Sequence, residues 1–339
     1  MNRRGSPEEA SRVRRIRLFY LALLLVLLAV VMVRLAAGTT ATSTQTGAPF
    51  DPHPLLQQAG PEKNEPYTFA VFGDSYANPA LAPLLKMVAE KSPTFVVTMG
   101  DMVSNGTDAG TWRTLRERAG WFMQQFSTWP VIGNHELGSA RAGAQAFEDF
   151  YRVSPGNYSF TFRRSKFIIL GHNGTTPEDQ IAYLKRELAD RDKYQHVFVF
   201  RHSPFYTVGS KSRSEVPNTS TAITQLFTQY HVTAVFAGHD HSYYRTKREE
   251  VNYITSANAG AGLYPLKRLK EQVPGDAYMS ISNNAGWYLL HTPTTDKRVS
   301  REKSPVEDWL FAVFIHVDGN KVTGQTISVL GEVWDTFEL

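Results

Sequence analysis

Hydrophobic positions fall into two regimes along this chain. Residues 18–33, "LFYLALLLVLLAVVMV", form one unbroken apolar run, whereas from Tyr67 onward short apolar stretches alternate with amphipathic ones. The second regime predicts strands at "YTFAVFG", "TFVVTMG", "WPVIGN", "YSFTF", "KFIILG", "HVFVFRH" and "TAVFAGHDH". Among them, "ALAPLLKMVAEK", "AGTWRTLRERAGWFMQQF", "PEDQIAYLKRELADR" and "TSTAITQLFTQYH" read as helices. Strands alternating with helices predict an α/β sheet with helices packed on it. The end differs: "WLFAVFIHVDGNKVTGQTISVL" reads as a hairpin turning at Asp318-Gly319. Residues 38–64, rich in Thr, Ala, Gly and Pro and without sustained periodicity, predict a flexible spacer.

As a helix the first run is about 24 Å long, and if Arg34 snorkels, the stretch to Ala37 approaches the roughly 30 Å of a bilayer core. Arg3, Arg4, Arg12, Arg14, Arg15 and Arg17 precede it, and after Arg34 the next basic residue is Lys63. This asymmetry predicts a cytoplasmic basic tail over residues 1–17, an uncleaved single-pass signal anchor over 18–37 and an exported domain over 65–339. A signal peptide cut near "RLAAGTTA" is the alternative, and it exports the domain equally. Of the formal net charge of +4, residues 1–34 hold seven Arg against two Glu, a net +5, which leaves −1 for the remainder. The exported part therefore lacks the cationic field that attracts nucleic acid. With no cysteine among its 339 residues, the chain has no disulfides, no thiolate metal ligands and no cysteine nucleophile.

Polar residues able to bind metal stand where the apolar strands stop. "AVFGDSY" runs into Asp74, "VVTMGDMVSNG" into Asp101, "PVIGNHE" into Asn134 and His135, "VFVFRHSPFY" into His202, and "VFAGHDH" into His239 and His241. The last two are two residues apart, so an extended backbone points both imidazoles the same way. Singly, each has a plain reading: Gly-Asp is a turn or helix cap, Asn134 is turn chemistry, and His202 is a rim histidine. Five in order, each at a strand end, predict convergence on one sheet edge. Imidazoles, carboxylates and one amide oxygen without sulfur suit zinc or transition-metal ions. A carboxylate shared by two such ions holds them at the spacing used for displacement at phosphorus.

These five blocks resemble the signature of the calcineurin-like metallophosphoesterase superfamily. The phrases "LFTQYHVTAVFAGHDHSYYR" and "NYITSANAGAGLYP" look most like its purple acid phosphatase branch, and the similarity weakens over roughly 264–308. The resemblance implies a four-layer αββα sandwich, two mixed sheets flanked by helices, with a dimetal site at the strand ends. It implies that Asp74, Asp101 and His241 hold one ion and that Asp101, Asn134, His202 and His239 hold the other, Asp101 bridging. It further implies two divalent or mixed-valence ions, iron with zinc, manganese or a second iron. His135 would protonate the leaving alkoxide or steady the phosphoryl oxygens, with Asn134 and His202 as further candidates for contacting phosphate. Tyr76 departs from the pattern. Most members carry His at this place, and purple acid phosphatases supply their tyrosine after the second motif, where this chain has Ser104. Two residues beyond Asp74, the Tyr76 phenol either points at the first ion, which favours ferric iron because a phenol of pKa about 10 needs a strong Lewis acid, or packs on the rim.

Other candidates remain open on the sequence alone. Glu136 either hydrogen-bonds His135 or faces solvent; Asp240 either orients its neighbours or is exposed on its turn. His172 either lines the pocket or sits in a loop, and Arg245 either contacts phosphate or packs by a salt bridge. His196, His231 and His316 read as structural. The combined expectation is a membrane-anchored, extracytoplasmic phosphoesterase that hydrolyses small phosphomonoesters. Alternatives are a phosphodiesterase acting on lipid-linked, nucleotide or other diesters, Trp287 and Tyr288 leaving lipid- or carbohydrate-linked substrates open, and a non-catalytic binding protein of the same fold.

Overall fold

The computed structural model describes residues 47–138, 142–171, 176–209, 220–267, 272–284 and 286–339. The expected anchor at residues 18–37 lies outside them, as does His172. Among the described residues no helix is long and apolar enough to cross a membrane.

Two mixed sheets form the domain. The six-stranded sheet runs β15 (Val333–Glu338), β14 (Lys321–Ser328), β13 (Phe311–Asp318), β1 (Tyr67–Phe72), β2 (Phe95–Thr98), β3 (Thr128–Pro130). The nine-stranded sheet runs β12 (Thr295–Ser300), β11 (Trp287–Thr292), β10 (Ala277–Ile281), β8 (Tyr243–Arg248), β9 (Val251–Ser256), β7 (Ala234–Ala237), β6 (His196–Arg201), β5 (Ser165–Leu170), β4 (Tyr158–Phe162). β1, β2 and β3 are parallel neighbours, and so are β5, β6, β7 and β9. Parallel strands covered on both faces read as continuous apolar runs, which is why "TFAVF" and "VFVF" lack clean alternation.

Phenylalanine fills the space between the sheets. The Phe69 ring meets Phe95 at 5.4 Å, Phe167 at 5.4 Å and Phe198 at 5.1 Å, joining β1 and β2 to β5 and β6. Phe72, of opposite parity, faces the other way and meets Phe122 of a helix at 6.3 Å. The helices beyond β1 are α2 (Leu81–Glu90) and α3 (Ala109–Gln125), preceded in the chain by α1 (Pro52–Gln58). α4 (Asn134–Leu137) is a single turn and α5 (Ala144–Tyr151) follows it. α6 (Pro177–Leu188) and α7 (Ser220–Gln229) pack Leu184, Leu188, Ile223 and Phe227 against Ile168, Val197, Val199 and Val235 on the outer face of the larger sheet. α6 starts where its sequence dictates: Thr176 Oγ1 accepts the Asp179 N–H at 3.1 Å, Asp179 Oδ2 accepts the Thr176 N–H at 2.8 Å, and Pro177 opens the first turn.

The structure corrects the sequence reading at two places and extends it at a third. The domain begins before residue 65: Asp51 caps α1, the Phe50 N–H donates to the Phe150 carbonyl at 2.8 Å, and the Ser127 hydroxyl donates to the Pro52 carbonyl at 2.8 Å. A seven-residue helix is too short to show periodicity, so its Asp-Pro start is its only signal. The terminal hairpin pairs Asp318 with Lys321, which makes Gly319-Asn320 the turn, Gly319 taking φ +58°. The unfamiliar stretch near 264–308 supplies β10, β11 and β12, which extend the larger sheet.

Candidate metal centre

The loops leaving β1, β2, β3, β6 and β7 meet at one edge, and their crowding explains the glycines in "GD", "GD", "GN" and "GHDH". A Cβ on Gly100 would stand 2.7 Å from both Gly133 N and His202 Nδ1, and one on Gly133 would stand 2.2 Å from Asp101 Oδ1. Three candidate ligands take left-handed backbone themselves: Asp74 at φ 61°, Asp101 at 52° and His239 at 66°. Non-glycine residues held there cost on the order of 1 kcal/mol or more each, and the surrounding hydrogen bonds hold them. Asp74 accepts the His239 N–H with both carboxylate oxygens, at 2.9 and 3.1 Å. Asp101 Oδ1 accepts the His135 N–H at 2.9 Å.

His202 organises one half of the centre. Its Nδ1–H donates to the Met99 carbonyl at 2.6 Å, which turns Nε2 inward. Around Nε2 stand Asn134 Oδ1 at 3.1 Å, His239 Nδ1 at 3.2 Å and Asp101 Oδ2 at 3.4 Å. In the other half, His241 Nε2 lies 3.5 Å from Asp74 Oδ1 and 3.4 Å from the Tyr76 hydroxyl. Donors each about 2.1 Å from one ion stand about 3.0–3.4 Å apart in octahedral or tetrahedral arrangement. The observed separations match that edge length, so the donor set fits metal. Asp101, His202 and His239 in particular are buried and offer ligand atoms within 4.8 Å of one another. The field has the same sense. Burial alone would lower the His202 pKa, yet the Asp101 and Asp74 carboxylates and the Met99 carbonyl outweigh it and raise it to about 10. Burial would raise that of Asp101, but His202 and His135 bring it down to about 2.

Asn134 is exposed and His135 has 32 % of its side chain in solvent, so both can meet a substrate. His202, 1 % exposed, cannot: its ring faces inward, and it drops from the candidate phosphate contacts. The His135 Nδ1–H donates to the Ser104 carbonyl at 2.8 Å, and Nε2 lies 3.3 Å from the Tyr76 hydroxyl. Tyr76 therefore turns into the site rather than packing on the rim. Burial, Asp101, Tyr264 and Asp74 all push its pKa up.

Glu136 does neither of the things its place in the sequence suggests. It is buried, and its carboxylate accepts the N–H groups of Asp101 at 2.7 Å, Met102 at 2.6 Å, Val103 at 3.3 Å and Gly133 at 2.9 Å. That clamps the Asp101 loop to the Asn134 turn. Asp240 is buried as well and accepts the Thr207 hydroxyl, so it orients its surroundings. Arg245 pairs with Asp335 at 2.8 Å, the packing alternative. His196 bonds the Gly319 carbonyl and His316 the Thr68 hydroxyl, both structural. Tyr288 stacks on Trp309 at 4.5 Å and is 1 % exposed, so it offers no substrate surface.

A family model described as calcineurin-like phosphoesterase matches residues 67–243, just over half of the chain and every loop that carries a candidate ligand. The chain belongs to the calcineurin-like phosphoesterase family. Among curated relatives of this calcineurin-like phosphoesterase, phosphoenolpyruvate phosphatase of Allium cepa is 29 % identical over 227 residues, covering 59 % of this chain and 46 % of the relative. Purple acid phosphatase 23 of Arabidopsis thaliana is 25 % identical over 227 residues, covering 54 % and 48 %. The chain thus spans about half the length of the curated relatives it matches. A purple acid phosphatase from yellow lupin (Lupinus luteus) seeds shares the fold, with TM-score 0.58 and 16 % identity over 81 % of this chain and 54 % of that one. These relatives support the purple acid phosphatase branch.

Proposed function

We propose that this protein is a two-metal phosphoesterase acting on small phosphomonoesters, anchored by its N-terminal apolar run with the domain outside the cytoplasm. The reading rests on one observation above all: lone-pair donors from five strand ends converge at ion-binding separations. Asp74, Asp101, His241 and Tyr76 would hold one ion, and Asp101, Asn134, His202 and His239 the other. When bound, such ions neutralise phosphate charge and lower the pKa of water enough to supply hydroxide near neutral pH. The chain's own residues do the rest. Glu136 and Met99 keep the ligands in register, Asn134 faces solvent at the phosphate's approach, and His135 presents Nε2 to the departing oxygen while Ser104 fixes its ring. The two curated relatives named above are phosphatases, which supports the substrate class. The anchor and its orientation are supported by the apolar run and the arginines before it.

The test is metal analysis of the purified domain with a panel of phosphate esters. Bound iron, zinc or manganese and faster turnover of mono- than of diesters are expected; absence of both metal and turnover would refute the proposal, and faster diester cleavage would move the substrate class. Iron-loaded protein should also show a phenolate charge-transfer band that Tyr76→Phe abolishes.

A further inference from the structure

Tyr264 belongs to none of the five motif blocks, yet the structure sets it against the Asp74 half of the centre. The segment carrying it leaves β9 and crosses the loop after β1. There the Ala259 N–H donates to the Gly73 carbonyl at 2.8 Å and the Ala261 N–H to the Asp74 carbonyl at 2.9 Å. Gly260, at φ 137°, lies in the crossing, where a Cβ would stand 3.3 Å from the Ser75 carbonyl oxygen. The Tyr264 N–H then donates to the His241 carbonyl at 2.9 Å. Its ring lies flat on the His241 imidazole, centroids 4.0 Å apart and planes within 8°. Tyr264 is also among the groups that push the Tyr76 pKa up. Asp74 and Tyr76 come from the six-stranded sheet and His241 from the nine-stranded one, so this strap ties together ligands that separate sheets supply.

We propose that Tyr264 is a positioning residue that holds the His241 imidazole in its ligating plane and thereby sets the affinity of one of the two ions and not the other. The proposal rests on the two-metal reading above. An imidazole turns about a broad, shallow ring torsion unless something packs on its face, and the stack supplies that restraint. The Asn134 half is held differently, by the Met99 carbonyl and the Glu136 carboxylate. Hydrogen-bond partners of metal-ligating histidines change affinity by about 10–100-fold, and a stack that fixes the ring plane should act on the same scale. Tyr264 is only half-buried, so replacing it opens no core cavity.

Calorimetric titration of chelator-stripped protein with Zn2+ tests this, using the wild type, Tyr264→Leu and Tyr264→Phe. The wild type should show two binding events. Tyr264→Leu should weaken one by about 10–100-fold and leave the other unchanged, while Tyr264→Phe, which keeps the stack, should stay within a few-fold on both. Two unchanged events in Tyr264→Leu, or two events weakened alike, would overturn the assignment. If the Leu variant fails to fold, Tyr264→Met, which also removes the ring, takes its place in the same titration; a tenfold loss in Tyr264→Phe puts the effect in the hydroxyl and overturns the role of the stack. A wild type that binds fewer than two ions overturns the two-metal reading instead.

Discussion

His202 must lose a proton before it can ligate. With its pKa raised to about 10 by Asp101, Asp74 and the Met99 carbonyl, the ring is protonated at neutral pH where no metal competes for it. The raised value means the proton is held below pH 10 and released above it, so metal competes with the proton throughout the neutral range. Zinc binding at pH 7.5 should therefore release about one proton from this group, measurable by calorimetry in buffers of different ionisation enthalpy, and affinity should rise with pH. In Asp101→Asn, which lacks the carboxylate holding that proton, the release should fall and metal should be lost. No proton release in the wild type would contradict the assignment. At this scale the convergence of the candidate ligands was legible, because side chains of the right type stand at strand ends. Glu136 and Tyr264 were not: adjacency suggested His135 as the partner of Glu136, whereas the single turn of α4 aims its carboxylate back at the Asp101 loop. Tyr264 reaches His241 only because the segment after β9 crosses the loop after β1.

Among the elements, α4 and the loop after β2 behave as one piece. The Gly106 N–H donates to the His135 carbonyl at 2.7 Å, and a Cβ on Gly106 would stand 1.7 Å from the Glu136 carbonyl oxygen. Gly106→Ala should force the two apart, reducing metal content and costing about 2–3 kcal/mol in urea unfolding; an unaffected variant would mean that the contact relaxes freely. Apolar strands buried on both faces announced themselves by composition, but β9, buried throughout, did not, because "VNYITS" carries Asn252, Thr255 and Ser256 among its apolar residues. β8, "YYRTKR", and β12, "TDKRVS", did not, because β12 is an exposed edge whose charges discourage pairing with other chains, and β8 becomes a strand through its neighbours β9 and β10. The faces of β1 were not legible either: Phe69 faces the other sheet and Phe72 the helices, and a run apolar on both faces hides that division.

For the whole molecule, the phenylalanine layer does more than fill space, since each sheet brings different candidate ligands to the same edge. Phe69→Ala should cost about 3–5 kcal/mol, read as a lower urea midpoint, and should weaken metal binding together with stability. Unchanged metal affinity in a strongly destabilised variant would show that the edge assembles independently of the layer. The left-handed backbone at Asp74, Asp101 and His239 sets the fold against its own chemistry. At each of these positions glycine would relax the chain and delete a candidate ligand. Selection for heat resistance alone would thus wear away the centre while sparing the core, and descendants freed from the reaction should betray their history by glycines at these three positions.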